Sequence, residues 1–388
     1  MKAIIPAGGY GTRLRPLTYS KPKVLLPLAG KPMLWYVIEY LLNYGIREQI
    51  ISANAEFREI EEYFGDGSEF KAKLSYIWEK QRLGGVGCIK NASKGLHDAF
   101  LVMLPDNLTD VNISNMIKFH REKRSDATVT LVHSKTPWLY GVPEIGEDGR
   151  IRNFIEKPDE VDPTHIATGI YIFEPHVMDD IDDNRFMDHT GEIFPIMLQA
   201  RRNVFGFRTN AFWVDIGNPT KYLMANKWVL SKLKSKVFPA ANARDAIIRG
   251  RVDIGANTVI ESGARINGPA YIGDSCHIKR DSIIGPNTSI SSNVRIGEHV
   301  QIRGSLVYEW SDIGNKTKMR DSIVAEKVSI GRDARISDSI VGSECVIGRS
   351  STIRSNSRIW PKIRVEPKST IKGILRHTYL PIKSDLHQ

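Results

Sequence analysis

Two patterns of apolar spacing divide the chain. Up to about residue 230, short apolar runs alternate with stretches of 3.6-residue period, the alternation of a layered α/β domain built from βαβ units. Ala3 to Pro6 predicts a first strand. A helix is predicted to start near Pro32, because Leu34, Val37, Ile38, Leu41 and Leu42 fall on one helical face and Gly45 follows as a C-cap. Glu48 to Ala53 reads as the next strand. Phe100 to Leu104 is an unbroken apolar run, as in a strand buried on both faces, with Asp106 just beyond its C-terminal end, and Ile113 to Lys123 follows as an amphipathic helix. Open parallel sheets bind ligands outside such strand ends.

After about residue 245 the period becomes six. Ile254, Ile260, Ile266, Ile272, Ile278, Ile284, Ile290, Ile296 and Ile302 are nine isoleucines in one register, and Gly follows four of them directly. This hexapeptide repeat predicts a parallel β-helix with three faces and about eighteen residues per coil. The register then slips by one at Val307, Val324 and Val341, positions seventeen apart, each inside a Ser-apolar-Val unit. Each of these coils is therefore expected to lose one residue, always at the same corner. The six-residue step resumes through Ile347, Ile353, Ile359, Val365 and Ile371. The lysine-rich stretch Ser231 to Asp245 reads as a connector, which sets expected boundaries of 1–230 for the α/β domain, 231–245 for the linker, 246–375 for the repeat and 376–388 for a tail. Such a repeat exists first to bury its own inward stripe. The tail, with Arg376, His377, Tyr379 and Pro381, is a candidate cap for the open end of the coils.

A length of 388 residues suits two or three domains, and 41% hydrophobic with 25% charged residues is ordinary globular usage. No apolar run approaches the roughly 18 to 20 residues a membrane span needs, and the first residues lack signal-peptide architecture, so a cytoplasmic protein without a membrane partner is expected. Three cysteines, Cys88, Cys276 and Cys345, have no C-x-x-C spacing and offer neither a disulfide framework nor a cysteine-rich zinc site. The net charge of +10 favours polyanionic partners. Its basic residues are scattered and match no nucleic-acid motif, so nucleotides are expected and nucleic acid is not.

The chemistry concentrates near the start. Gly8-Gly9-Tyr10-Gly11-Thr12-Arg13-Leu14 follows the first strand, and glycines there let backbone N–H groups approach phosphate oxygens. A dinucleotide fingerprint would need glycine where Leu14 stands, and a P-loop would need Gly-Lys-Ser/Thr, which is missing. What remains is G-G-x-G-T-R-L with Lys23 ten residues after Arg13, in Lys21-Pro22-Lys23-Val24-Leu25-Leu26-Pro27.

With these residues the sequence closely resembles the sugar-1-phosphate nucleotidyltransferases, whose signature is G-G-x-G-T-R-L-x-P-x-T followed by K-P-K-x-L-x-P. Tyr140-Gly141-Val142, Phe154-Ile155-Glu156-Lys157-Pro158, Thr168-Gly169-Ile170-Tyr171 and Trp213-Val214-Asp215-Ile216-Gly217 resemble that family's later motifs in its order. Long members carry a C-terminal left-handed β-helix, so the resemblance covers nearly the whole chain. It implies an α/β Rossmann-like nucleotidyltransferase domain plus a left-handed parallel β-helix, acting on a nucleoside triphosphate (NTP) and a hexose 1-phosphate. A sugar-phosphate oxygen attacks the α-phosphorus in line and pyrophosphate leaves. The nucleophile is already an anion, so catalysis is largely positioning and charge neutralisation.

The resemblance assigns Arg13 and Lys23 to catalysis on the triphosphate, and Gly8, Gly9, Gly11, Thr12, Gln81 and Gly84 to the nucleotide. It assigns Gly141, Glu156, Lys157 and Gly169 to the sugar phosphate, and Asp106 and Asp215 to Mg²⁺ as the cofactor. Two motifs depart from the family pattern: Gly84-Gly85-Val86-Gly87 replaces Gly-Thr-Ala-Gly, and Pro105-Asp106 replaces Gly-Asp. The departures bear on base selectivity and leave the charged positions intact. Trp213 to Pro219, Ile359-Trp360-Pro361 and Val365-Glu366-Pro367 resemble mannose-1-phosphate guanylyltransferases most. The alternatives are a glucose-1-phosphate thymidylyl- or uridylyltransferase, a bifunctional N-acetylglucosamine-1-phosphate uridylyltransferase and acetyltransferase using His277 or His299, and a non-catalytic regulatory subunit. Self-association through the β-helix is expected as well.

Overall fold

The computed structural model describes residues 1–79, 83–182, 186–187, 192–238, 241–243 and 245–376. They form two compact units: Met1–Tyr10 with Met33–Ile216, and Gly11–Pro32 with the chain from Gly217 onward. No helix among the described residues is long and apolar enough to cross a membrane.

The first unit is built on a seven-stranded sheet. Its strands are β1 (Ala3–Pro6), β2 (Glu48–Asn54), β3 (Lys73–Glu79), β4 (Phe100–Met103), β5 (Ala127–Ser134), β6 (Thr164–Phe173) and β7 (Val204–Arg208), in the spatial order β7-β5-β6-β4-β1-β2-β3. β6 runs antiparallel to both β4 and β5, and every other neighbouring pair is parallel. The run Phe100–Met103 is buried on both faces, as its lack of alternation required. Helix α1 (Met33–Asn43) buries Leu34, Val37, Ile38 and Leu41 along one stripe and stops at Gly45. There the backbone turns left-handed (φ +76°), Gly45 N–H bonds the Leu42 carbonyl at 2.9 Å and Ile46 N–H bonds the Leu41 carbonyl at 3.0 Å. Pro32 is the residue before this helix. Two ribbons stand apart from the main sheet: Gly141–Ile145 pairs antiparallel with Ile151–Glu156, and Asn107–Thr109 with Trp213–Asp215.

The second unit contains a three-sided parallel β-solenoid of about eight turns, consistent with a left-handed β-helix. All nine isoleucines of the six-residue register are buried in its core. Inward residues pair from coil to coil, and Ile254, Ile272 and Ile290 lie eighteen apart on one face. The same face continues Ile290–Val307–Val324–Val341 at seventeen and returns to eighteen at Ile359. The two other faces keep a continuous register, through Ile302, Met319, Ile336 and Ile353 and through Ile296, Ile313, Ile330 and Ile347. Every missing residue therefore comes from one corner, between Ile302 and Val307 and its repeats.

Each shortened turn carries a serine. Ser305 Oγ donates to the Arg303 carbonyl at 2.8 Å and accepts from Ser322 N–H at 3.1 Å, and Ser322 Oγ repeats this with the Arg320 carbonyl (2.7 Å) and Ser339 N–H (3.2 Å). Two features go beyond the reading from spacing. Lys236–Val237, inside the stretch read as a connector, adds a parallel strand beside Asp253–Ile254, because the coil edge leaves backbone groups to be paired. The last coil closes through Ile374–Leu375 against Arg358–Ile359. His377, Tyr379 and Pro381 of the expected cap lie outside the described residues.

Candidate active site

In the first unit, chain direction places Asp106 where the parallel sheet opens. Leu104 N–H, just past β4, bonds the Gly169 carbonyl at 3.0 Å, and the chain then turns into the Asn107–Thr109 ribbon. Asp215 lies opposite Asn107 in that ribbon, and the Asp106 carbonyl accepts from Ile216 N–H at 2.9 Å. Two aspartates about 110 residues apart in sequence become ribbon neighbours.

Asn107 organises the surroundings. It is 1% exposed, its Nδ2 donates to the Thr168 carbonyl at 2.5 Å, and its Oδ1 is buried without a hydrogen-bond partner. Trp213 Nε1 donates to the same Thr168 carbonyl at 2.9 Å. A Cβ on Gly169, whose φ is +79°, would stand 2.7 Å from Asn107 Nδ2 and 2.5 Å from Leu104 Cδ1. Glycine there is demanded by the protein's own side chains.

The second ribbon joins this group through aromatic contact, the Tyr140 and Trp213 rings meeting edge to face at 5.2 Å. Gly141 is the register partner of Glu156, and Lys157 N–H bonds the Tyr140 carbonyl at 3.0 Å. A Cβ on Gly141 would lie 2.6 Å from Phe154 Cε1 and 2.9 Å from Glu156 Oε2. Lys157 adopts a left-handed backbone (φ +49°), uncommon outside glycine, and its Nζ is 3.9 Å from Glu156 Oε1. The structure thus gathers Asp106, Asp215, Gly141, Glu156, Lys157 and Gly169 at neighbouring ribbons and strand ends. Burial, reinforced by the Glu156 carboxylate, pushes the Tyr171 phenol far up and keeps it neutral.

Gly8 and Gly9 lie just after β1. A Cβ on Gly8 would make only ordinary contacts, 3.6 Å from Asn54 N and 3.9 Å from the Glu79 carboxylate oxygens, and Gly9 has open space around its Cα. Glu79, 7% exposed, accepts from Ser52 Oγ at 3.2 Å and from Leu83 N–H at 3.3 Å, which ties the end of β3 to the entry of the helix Gly84–Ser93. Gly84 opens that helix with φ +75°. Gln81 lies outside the described residues. Asn107 and Glu79 were missed by sequence reading. Neither has a local signal, since Asn107 follows Asp106 and precedes Thr109 and Asp110, and Glu79 stands next to Lys80.

In the second unit, residues from Gly11 to Lys23 coil into short 3₁₀ turns at Thr12–Leu14, Leu17–Tyr19 and Lys23–Leu25. Gly11 is left-handed (φ +63°), and a Cβ there would stand 2.9 Å from Lys23 Cβ and 3.1 Å from Thr18 Cγ2. Gly11 and Lys23 are therefore neighbours, with Arg13 exposed and Lys23 half-buried. Thr18 Oγ1 donates to the Gly11 carbonyl at 3.0 Å, closing the turn from the other side.

Among the described residues no group of three or more His, Cys, Asp or Glu side chains could hold a metal. Asp106 and Asp215 still fit magnesium, a hard cation that commonly takes one or two carboxylates and completes its shell with water and substrate phosphate. On the solenoid, His277 Nε2 pairs with Glu261 Oε1 at 2.6 Å, and His299 sits at a left-handed corner (φ +55°) with Nδ1 4.0 Å from Asp281 Oδ2. Both histidines have coil-to-coil partners on the surface.

Residues 2–232 match the Nucleotidyl transferase family and residues 266–375 match the GMPPB C-terminal domain. A UTP-glucose-1-phosphate uridylyltransferase of Synechocystis is 33% identical over 339 residues, covering 79% of this chain and 87% of the relative. A mannose-1-phosphate guanylyltransferase of Mycobacterium tuberculosis is 30% identical over 309 residues, covering 79% and 82%. Among solved structures, HddC from Yersinia pseudotuberculosis superposes with a TM-score of 0.52 at 27% identity, over 59% of this chain and 99% of its own.

Proposed function

Because this chain belongs to the nucleotidyl transferase family and is a sugar-1-phosphate nucleotidyltransferase, we propose that it joins GTP and mannose 1-phosphate to give GDP-mannose and pyrophosphate. The observation that carries the choice of substrates is the likeness of Trp213 to Pro219 and of Ile359 to Pro367 to mannose-1-phosphate guanylyltransferases. The Mycobacterium tuberculosis relative supports it over four fifths of the chain. The Synechocystis relative keeps uridylyl transfer to glucose 1-phosphate as the second reading.

A mannose 1-phosphate oxygen bonds to the α-phosphorus of GTP as the bond to the bridging oxygen breaks, and that oxygen leaves on pyrophosphate. No proton need be moved by the protein. Arg13 and Lys23 offset the negative charge of the triphosphate and of the departing pyrophosphate. Open space at Gly9 leaves room for phosphate oxygens to reach backbone N–H groups. Glu156 accepts hydrogen bonds from sugar hydroxyls, Lys157 pairs with the sugar phosphate, Gly141 leaves room for the Glu156 carboxylate, and Gly169 leaves room for Asn107 and Leu104 on the sugar side. Asp106 and Asp215 would hold Mg²⁺, which supplies charge neutralisation at the reacting phosphates. Gly8, Gly11, Thr12, Gln81 and Gly84 complete the nucleotide side. At Gly85 the hydroxyl of the family's threonine is missing, a loss of about 0.5 to 1.5 kcal/mol if it bonded the nucleotide. We also assign self-association to the solenoid, which light scattering would test through the solution mass.

Pyrophosphate release from four nucleoside triphosphates, each paired with mannose, glucose or N-acetylglucosamine 1-phosphate, tests the proposal. GTP with mannose 1-phosphate should be fastest, and faster turnover with UTP or dTTP overturns the substrate choice. Asp215→Asn should lower Mg²⁺-dependent turnover by on the order of 100-fold or more at unchanged melting temperature, and unaltered turnover would sink the metal assignment.

A further inference from the structure

The signature turns do not hold their shape alone. Within the second unit, Arg358 of the solenoid, half-buried, donates from Nη1 to the Arg13 carbonyl at 3.2 Å and to the Arg15 carbonyl at 3.0 Å. Two residues on, the Trp360 ring meets Tyr19 at 5.8 Å, and the Arg15 guanidinium lies 4.8 Å above the same Tyr19 ring. One coil edge therefore grips both ends of the Arg13–Tyr19 stretch.

The rest of the segment is anchored along other coils and along the helix Pro219–Lys232. Tyr222 of that helix donates its hydroxyl to the Pro27 carbonyl, so Tyr308 of the solenoid must donate to the Tyr222 oxygen, 2.8 Å away. Asn226 Oδ1 accepts from Ala29 N–H at 3.2 Å and from Ser289 Oγ at 2.8 Å. These contacts are buried. The Arg358 bonds are the ones that reach the backbone of Arg13 itself.

We propose that Arg358 is a positioning residue for nucleotide use: its guanidinium sets the backbone on either side of Leu14 and so aims the Arg13 side chain, making this solenoid coil part of the phosphate-handling apparatus. The proposal rests on the reading of Arg13 as a triphosphate contact. The physical ground is that a cationic donor shared by two carbonyls, those of residues 13 and 15, restricts the turn between them more than a neutral bond would. Small displacements of a charged group from a reacting phosphate cost rate steeply.

Hydrogen exchange and steady-state kinetics on the full chain test it, with Arg358→Ala, Arg358→Lys and, as a control from another coil, the exposed Arg335→Ala. In Arg358→Ala, amides of residues 11–19 should exchange faster while those of the solenoid core stay protected. The kcat/KM for the nucleoside triphosphate should fall on the order of ten- to a hundred-fold with the KM for hexose 1-phosphate unmoved. Arg358→Lys, which keeps a cationic donor, should recover part of the loss, and Arg335→Ala should match the unaltered protein. Unchanged exchange in residues 11–19 overturns the proposal. So does faster exchange with the triphosphate kinetics unmoved, or equal loss for both substrates together with lost solenoid protection. Arg13→Ala is run alongside: if turnover survives that change, the triphosphate reading of Arg13 has failed, while the exchange data still report on the clamp.

Discussion

At the residue scale, the glycines of the motifs separate into two kinds. Gly141 and Gly169 are needed because a Cβ would strike Phe154 and Glu156, or Leu104 and Asn107. Gly9 has nothing within 4 Å, so the folded protein alone gives no reason for it. The two kinds predict opposite phenotypes. Gly141→Ala meets both Phe154, which is buried against Phe194 with rings 4.7 Å apart, and the Glu156 carboxylate, so the ribbon and Glu156 must shift together. The variant should lose about 1 to 3 kcal/mol of stability and raise the KM for hexose 1-phosphate roughly tenfold, leaving the triphosphate KM near its starting value. Gly9→Ala should melt at the unaltered temperature yet raise the triphosphate KM, as the proposed approach of phosphate oxygens to backbone N–H groups would meet a methyl group. Melting curves with two-substrate kinetics check both, and reversal of the two patterns would remove these roles. The glycines themselves were legible in the motifs. Why Gly141 must be glycine was not, because Phe154 reaches it only across a ribbon.

At the element scale, the helix Ile113–Glu122 carries a buried histidine outside the proposed site. His120 is 2% exposed, with Nδ1 2.8 Å from Thr128 Oγ1 on β5 and Nε2 3.3 Å from Glu174 Oε1. Burial pulls its pKa below the ordinary imidazole value, a shift that Glu174 and Asp126 oppose and Arg121 assists. The folded state therefore takes up this proton less readily than the unfolded chain, whose histidine protonates below about pH 6.5. Stability from this site is complete above that pH and drains away as pH falls toward the depressed folded value. Denaturation midpoints between pH 7.5 and 5 should decline, and His120→Gln should flatten that part of the slope. An equally steep decline in the variant would assign the effect to other groups. The apolar face of this helix was visible in its spacing. That His120 turns inward was not, since a histidine in a helix is polar by pattern and only β5 and Glu174 make its burial tolerable.

At the scale of the whole molecule, the solenoid converts a spacing into a set of nearest-neighbour contacts. Ile336 is fully buried between Met319 and Ile353, its register partners in adjacent coils. Ile336→Ala should cost about 2 to 5 kcal/mol. In a quasi-one-dimensional stack the loss should fall first on those coils, so hydrogen exchange should quicken near 319–353 before it changes near 254–290. Uniform acceleration along the stack would contradict nearest-neighbour behaviour. The sequence by itself determined this architecture, down to coils of eighteen and seventeen residues and the corner that shortens, because inward positions recur at short separations that any local reading can count. It also marked Asp106 and Asp215 as separate candidates through their motifs. The tertiary structure alone decided that these aspartates become neighbours, that Asn107 lies buried opposite Asp215, and that Arg358 holds a turn 345 residues before it. Such contacts depend on the path of the chain through space, on which periodicity is silent.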